Sequence, residues 1–214
     1  MPIFKDNLMA YSDFTLTDVK EKLGLALMEK ASLFSQTSIL DYSDHLKETL
    51  KYNVPLATSI NTEKARSELI VTPVLVEVIK ILDQEVSLFS GIEFNVDKNR
   101  GLNGICDYII SLSAEQLFLD APIITIVEAK NDNLKAGLGQ CISEMLAAKI
   151  FNENKNLNIE NIFGAVTTGS LWNFLKLTRK TVWIDSDEYH ISNVAKILGI
   201  FISIIKSNQS SSMV

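Results

Sequence analysis

Ile123-Ile124-Thr125-Ile126-Val127-Glu128-Ala129-Lys130 places five apolar or β-branched residues in a row, followed by two charges. The run reads as a β-strand buried on both faces. Side chains alternate across a strand, so Glu128 and Lys130 point to one side and Ala129 to the other. Two charges at the end of an apolar strand are costly to bury unless they are paired, hydrogen-bonded or bound to an ion. The end of a buried central strand is also where α/β proteins place their sites. Glu128 and Lys130 are therefore either a structural ion pair or half of a catalytic centre.

Working outward, two strand patterns precede this stretch. Leu88 to Val96 is one, with Gly91 as a candidate bulge. Ile105 to Ile110 is the other, with Asp107 as a single charge in an apolar run. The turn Asp97-Lys98-Asn99-Arg100-Gly101 separates them. After the stretch, Leu134 to Phe151 is predicted as a helix with Leu138, Cys141, Ile142, Met145, Leu146 and Ile150 facing inward. Three more strands follow, Ile162–Thr168, Leu171–Leu177 and Thr181–Asp185, and Ile191 to Lys206 reads as a closing helix. The fold class is α/β.

Residues 1–60 read as a helical N-terminal extension. Thr17 is a candidate cap before Val19, Leu23 and Leu27, spaced by four. Asp41 to Tyr52 is a second helix, ended by Asn53-Val54-Pro55. Asn61 is the candidate cap of a third helix, with Glu63 in its first turn, Glu68 further along, and Pro73 imposing a kink or a restart. The boundaries are then 1–60 for the extension, 61–206 for the α/β core with its closing helix, and 207–214 for a flexible polar tail.

Composition bounds the function. With 47% hydrophobic residues, 21% charged residues and only 4 Pro, the chain is globular. A net charge of −6 argues against coating nucleic acid through bulk positive charge, but leaves room for a local basic groove or a metal-bridged phosphate. Two cysteines, Cys106 and Cys141, read as reduced core residues, and His45 and His190 alone do not make a histidine zinc site. Met1 to Asp6 shows no apolar leader, and Ile197 to Ile205 is too short to span a bilayer, so a cytoplasmic protein without membrane contact is expected. Trp172 and Trp183 read as core. Lys98 with Arg100, and Lys176 with Arg179 and Lys180, are either solvated turns or phosphate contacts.

Strands two and three of the meander should pair directly, bringing Asp107 towards Glu128. Two converging carboxylates make a hard, oxygen-rich site suited to Mg²⁺ or Mn²⁺, and a lysine beside them can hold a water and stabilise charge on a phosphate. On the next helix Gln140 and Glu144 share a face.

These pieces resemble the PD-(D/E)xK nuclease superfamily. The matching residues are Glu68, Gly104 to Tyr108 around Asp107, Pro122 through Lys130, and Gly137-Leu138-Gly139-Gln140. Phe163 to Trp172 is similar to the strand pair of type I restriction-subunit-like members. The resemblance covers about residues 61–185. It implies a restriction-endonuclease-like αβββαβ core, a mixed sheet with helices on both faces. It further implies Asp107 and Glu128 as Mg²⁺ or Mn²⁺ ligands, with the Ala129 carbonyl and Glu68 as auxiliary ligands. Lys130 positions the attacking water, and Gln140 orients Lys130 or the substrate. Two departures are visible: Cys106 precedes the aspartate where the motif has proline, and Glu144 stands where an aromatic is common. Glu144 is either an extra metal contact or a solvated helix residue. The expected function is a metal-dependent endonuclease acting on nucleic acid, DNA first, as a homodimer. The alternatives are a non-catalytic binding or assembly module with a nuclease-like fold, and an enzyme acting on a small phosphorylated substrate.

Overall fold

A computed structural model describes residues 9–211. Helix α1 (Leu16–Glu21) leads to strand β1 (Ala26–Ala31) and helix α2 (Asp44–Ile60). Helix α3 (Glu63–Arg66), a π turn (Ser67–Val71) and helix α4 (Thr72–Ile81) run on in helical backbone. The meander β2 (Ser87–Glu93), β3 (Ile105–Ser111) and β4 (Ile123–Ala129) comes next, then helix α5 (Leu134–Asn154). Strands β5 (Asn161–Thr167), β6 (Leu171–Thr178) and β7 (Thr181–His190) precede helix α6 (Val194–Ser211). All seven strands form one sheet in the order β1-β7-β6-β5-β4-β3-β2. The β4–β5 and β1–β7 pairs are parallel and the others antiparallel, so the sheet is mixed and the class is α/β. Helices α5 and α1 cover one face; α2, α4 and α6 cover the other.

β4 is a buried interior strand of this sheet, between β5 and β3. All seven of its residues are buried, as the apolar run requires. The β3–β4 register shifts between Thr125 and Ile123, leaving Ile124 as the extra residue of a bulge. Strict alternation would put Ile124 and Ile126 on one face. The bulge instead sends Ile124 into the core under α4 and α6, and Ile126 into the core under α5.

The N-terminal sixty residues are not helical throughout. α1 is capped by Thr15 rather than Thr17: the Thr15 hydroxyl accepts the Asp18 N–H at 3.2 Å, and Asp18 accepts the Thr15 N–H at 3.0 Å. Gly24 turns the chain at φ +68°, and Leu27 falls in β1, paired with Val182 of β7. The regular spacing of Val19, Leu23 and Leu27 thus spans a helix, a turn and a strand. α2 passes through Pro55, because Pro55 and Lys51 are exposed and water can serve the carbonyl that loses its donor. Asn61, with φ +53°, ends α2, and Thr62 caps α3. The backbone stays helical throughout, and the α-helix restarts as α4 with Pro73 in its first turn. The π turn precedes it, and Asn53 of α2 donates to the Leu69 carbonyl at 2.9 Å, the acceptor that Pro73 cannot reach.

At the other end, Ser207 to Ser211 continue α6 where a tail was expected; residues 212–214 and 1–8 lie outside the described residues. The stretch Ile191–Gln209 is long and apolar enough to cross a membrane, contrary to the expectation from Ile197–Ile205 alone. It is 67% buried within the fold, where Phe201 packs edge-on against Trp172 and Phe174.

Candidate functional site

β3 and β4 pair as far as Tyr108 opposite Val127 and then part. There the Asp107 side chain replaces a backbone partner: its Oδ2 accepts the Ala129 N–H at 2.8 Å. On its other side β4 stays tied to β5 through Ala129 opposite Thr167, and the Lys130 N–H donates to the Thr167 carbonyl at 2.7 Å. The strand end that carries Glu128 and Lys130 is therefore fixed by β5 and open towards β3. α5 starts just beyond, where Asn133 caps the Lys135 N–H at 3.0 Å. Two glycines inside α5 cost helix propensity, and close approach explains them. A Cβ on Gly137 would lie 2.7 Å from Val166 and 3.0 Å from the Lys130 side chain, and one on Gly139 would collide with the Phe14 carbonyl.

This packing produces a connected cluster. Lys130 Nζ lies 2.6 Å from Glu128 Oε1 and donates to Gln140 Oε1 at 3.2 Å. Gln140 Nε2 donates onward to Glu144 Oε1 at 3.1 Å. Asp107, Glu128, Lys130 and Gln140 are thus brought together, with Ala129 buried between the two charges.

Glu68 is not brought in. The helix buries Ile70, Val71 and Val74, which turns Glu68 outward, 63% exposed and 3.8 Å from Lys64. The expectation of Glu68 as an auxiliary ligand is corrected on that ground. The acid of this helix whose charge reaches Glu128 and Lys130 is Glu63.

Glu144 is not a solvated helix residue: it is fully buried. Eight consecutive residues, Cys141 to Ala148, are buried, since the N-terminal segment covers the outer side of α5. Its neighbours Cys106 and Tyr11 had no local signal, and nothing before residue 60 pointed to chemistry. Yet Tyr11, from a 3₁₀ turn, is 1% exposed, and its hydroxyl has no hydrogen-bond partner.

The electrostatics follow from burial. Glu128 is pushed up to about 8, first by burial and then by the charge of Asp107, against the pull of Lys130. Burial also raises Asp107, opposed by the Ala129 N–H and by Lys130. For Lys130, burial works against the charge, but Glu128 and its hydrogen bond outweigh it, so the ammonium is held charged. Burial and then the charge of Glu128 push Glu144 well above the carboxylate range.

A hard cation suits this donor set. Glu128 Oε2 is buried without a hydrogen-bond partner, beside a second carboxylate whose charge it repels. A divalent ion would satisfy the one and relieve the other. Among the described residues, no three His, Cys, Asp or Glu side chains form a ready cage. Mg²⁺ does not need one, because it commonly binds through one or two carboxylates and keeps several waters.

The basic clusters separate. β2 and β3 pair down to Glu93 opposite Ile105, so the exposed Lys98 and Arg100 leave the sheet at the end where Asp107 sits. Lys176, Arg179 and Lys180 lie at the opposite end, beyond Phe163 of β5. Trp172 is fully buried, as expected, whereas Trp183 is only partly so; His45 and His190 are exposed.

No family model matches the chain. The phenylalanine–tRNA ligase beta subunit of Mesoplasma florum is 27% identical over 158 residues, which is 70% of this chain and 19% of that relative. The chain therefore spans less than a fifth of the relative's length.

Proposed function

We propose that the protein is a Mg²⁺- or Mn²⁺-dependent nuclease of the PD-(D/E)xK, restriction-endonuclease-like type, hydrolysing phosphodiester bonds in nucleic acid, DNA first. One observation carries the reading: Asp107, Glu128 and Lys130 converge where β3 and β4 part, and a buried oxygen of Glu128 is left without a partner. The succession of α4, β2, β3, β4, α5 and β5 supports the αβββαβ core. Asp107 and Glu128 would hold the metal, with the Ala129 carbonyl as a third donor. Bound there, a divalent cation supplies positive charge to the phosphate and acidity to a water.

The remaining work falls to the chain itself. The Lys130 ammonium has three N–H donors. Glu128 and Gln140 take two of them, which leaves one for the attacking water or a phosphate oxygen. Lys98 and Arg100 contact the nucleic-acid backbone from the same end of the sheet. A homodimer supplies a second site for the opposite strand of a duplex. The test is cleavage of single- and double-stranded DNA, with Mg²⁺ or Mn²⁺, by the wild type and by Asp107→Asn. Metal-dependent cleavage lost in the variant is the expected result; equal cleavage by both overturns the assignment. The partial likeness to a tRNA ligase subunit makes RNA a further substrate in the same assay.

The acidic net charge favours a second reading, a non-catalytic binding or assembly module. Under that reading no substrate is cleaved, and the divalent ions leave the melting temperature unchanged.

A further inference from the structure

Glu144 is the most deeply buried acid in the site, and the proposed chemistry gives it no task. It is 0% exposed, Oε1 accepts from Gln140, and Oε2 has no partner. Its position follows from what Lys130 demands of Gln140. An ammonium only donates, so the Gln140 amide must turn its oxygen towards Lys130. The amide nitrogen then faces the other way and needs a buried acceptor, because an amide N–H without one carries a desolvation cost. Glu144 Oε1, 3.1 Å away, is that acceptor. Without it the Gln140 N–H₂ is buried with no acceptor, and a side chain that swings or flips to find one no longer offers its oxygen to Lys130.

We propose that Glu144 is a positioning residue: it locks the orientation of the Gln140 amide, which in turn holds Lys130 when Glu128 engages a cation. The inference rests on the nuclease reading of the site. Its ground is geometric, a chain from β4 to α5 of 2.6, 3.2 and 3.1 Å with a single acceptor at its buried end. The surroundings fit. Tyr11 and Cys106 lie within reach of the Glu144 charge, and burial together with the charge of Glu128 pushes its carboxyl up, which favours the neutral form beside Asp107 and Glu128. The position needs an acceptor oxygen rather than a charge, and glutamine can supply one.

The experiment compares Glu144→Met, Glu144→Gln, Gln140→Met and the double methionine variant. Two readouts are used: kcat and KM for Mg²⁺-dependent cleavage, and the rate at which an amine-acylating ester labels Lys130, followed by peptide mass spectrometry. Glu144→Met and Gln140→Met should each lower kcat about 10- to 100-fold with little change in KM, as expected for a misplaced catalytic group. The double variant should be no worse than either single one, and Glu144→Gln should restore most of kcat. Lys130 labelling should quicken in both methionine variants and return to the wild-type rate in Glu144→Gln. Wild-type kcat in Glu144→Met, a multiplicative loss in the double variant, or a glutamine variant as impaired as the methionine one overturns the role. The labelling arm is read even if the wild type cleaves nothing. In that case the nuclease reading fails, while unchanged labelling in both Glu144→Met and Gln140→Met would refute the positioning role on its own.

Discussion

Two regions of this molecule bury carboxylates, and they treat them in opposite ways. On the α2–α4 side, Glu77 accepts from the Ser43 N–H at 2.7 Å and the Ser43 hydroxyl at 2.8 Å, so both oxygens are used and α2 is tied to α4 at its first turn. Asp185 of β7 is likewise occupied, by the Leu33 and Asp187 N–H groups and the Tyr189 hydroxyl. On the α5 side, Glu128 and Glu144 each keep one buried oxygen without a partner. A carboxylate with every oxygen engaged is part of the framework. One left half-engaged at a strand end costs stability, which a bound cation would recover.

Substitutions separate the two regions. The largest effect expected is on the α5 side: Lys130→Ala should lower cleavage about 10²- to 10⁴-fold with unchanged circular dichroism. Retention of wild-type cleavage would remove the contrast. Next, Glu77→Ala should destabilise the fold by about 2–3 kcal/mol in denaturant melts, because the Ser43 N–H and hydroxyl lose their acceptors, with metal-dependent cleavage preserved in the folded protein. A melt like that of the wild type would show that Glu77 does not hold α2.

The third test uses pH. The Glu128 carboxyl rises from its ordinary 4.5 to about 8, so the metal-free fold retains a proton that the unfolded chain has released. Its stability should therefore fall as pH rises from about 4.5 to 8 and level off above that. Glu128→Gln should flatten this slope. Equal slopes in wild type and Glu128→Gln would mean that Glu128 is as well satisfied as Glu77. The smallest effect belongs to Glu68→Ala: an exposed acid paired at 3.8 Å should change stability by less than about 0.5 kcal/mol and cleavage hardly at all. A large loss of cleavage would return Glu68 to the site.

The errors of sequence reading fell where local patterns and tertiary contacts disagree. Val19, Leu23 and Leu27 share a helical spacing, yet Val19 lies in α1, Leu23 in the turn before Gly24 and Leu27 in β1, and only pairing with β7 makes Ala26–Ala31 a strand. Pro55 promises a break and Pro73 a kink or restart; solvent at the first lets α2 run on, while at the second a π turn and the Asn53 amide carry the helical backbone into α4. Glu144 looks like a solvated residue by period, and becomes core because the turn containing Tyr11 packs on the outer side of α5.

The sequence by itself determined the α/β class, the buried strand Ile123–Val127 and the order of Asp107, Glu128, Lys130 and Gln140 along the chain. Those features rest on apolar runs, strand alternation and i, i+4 spacing, which are local. Only the tertiary structure decided that Asp107 meets the Ala129 amide, that Glu68 faces water, and that Glu128 and Glu144 each retain an unpartnered oxygen. Those depend on register, on a bulge at Ile124 and on the close approach that Gly137 and Gly139 allow, and none of them exists until distant segments pack together.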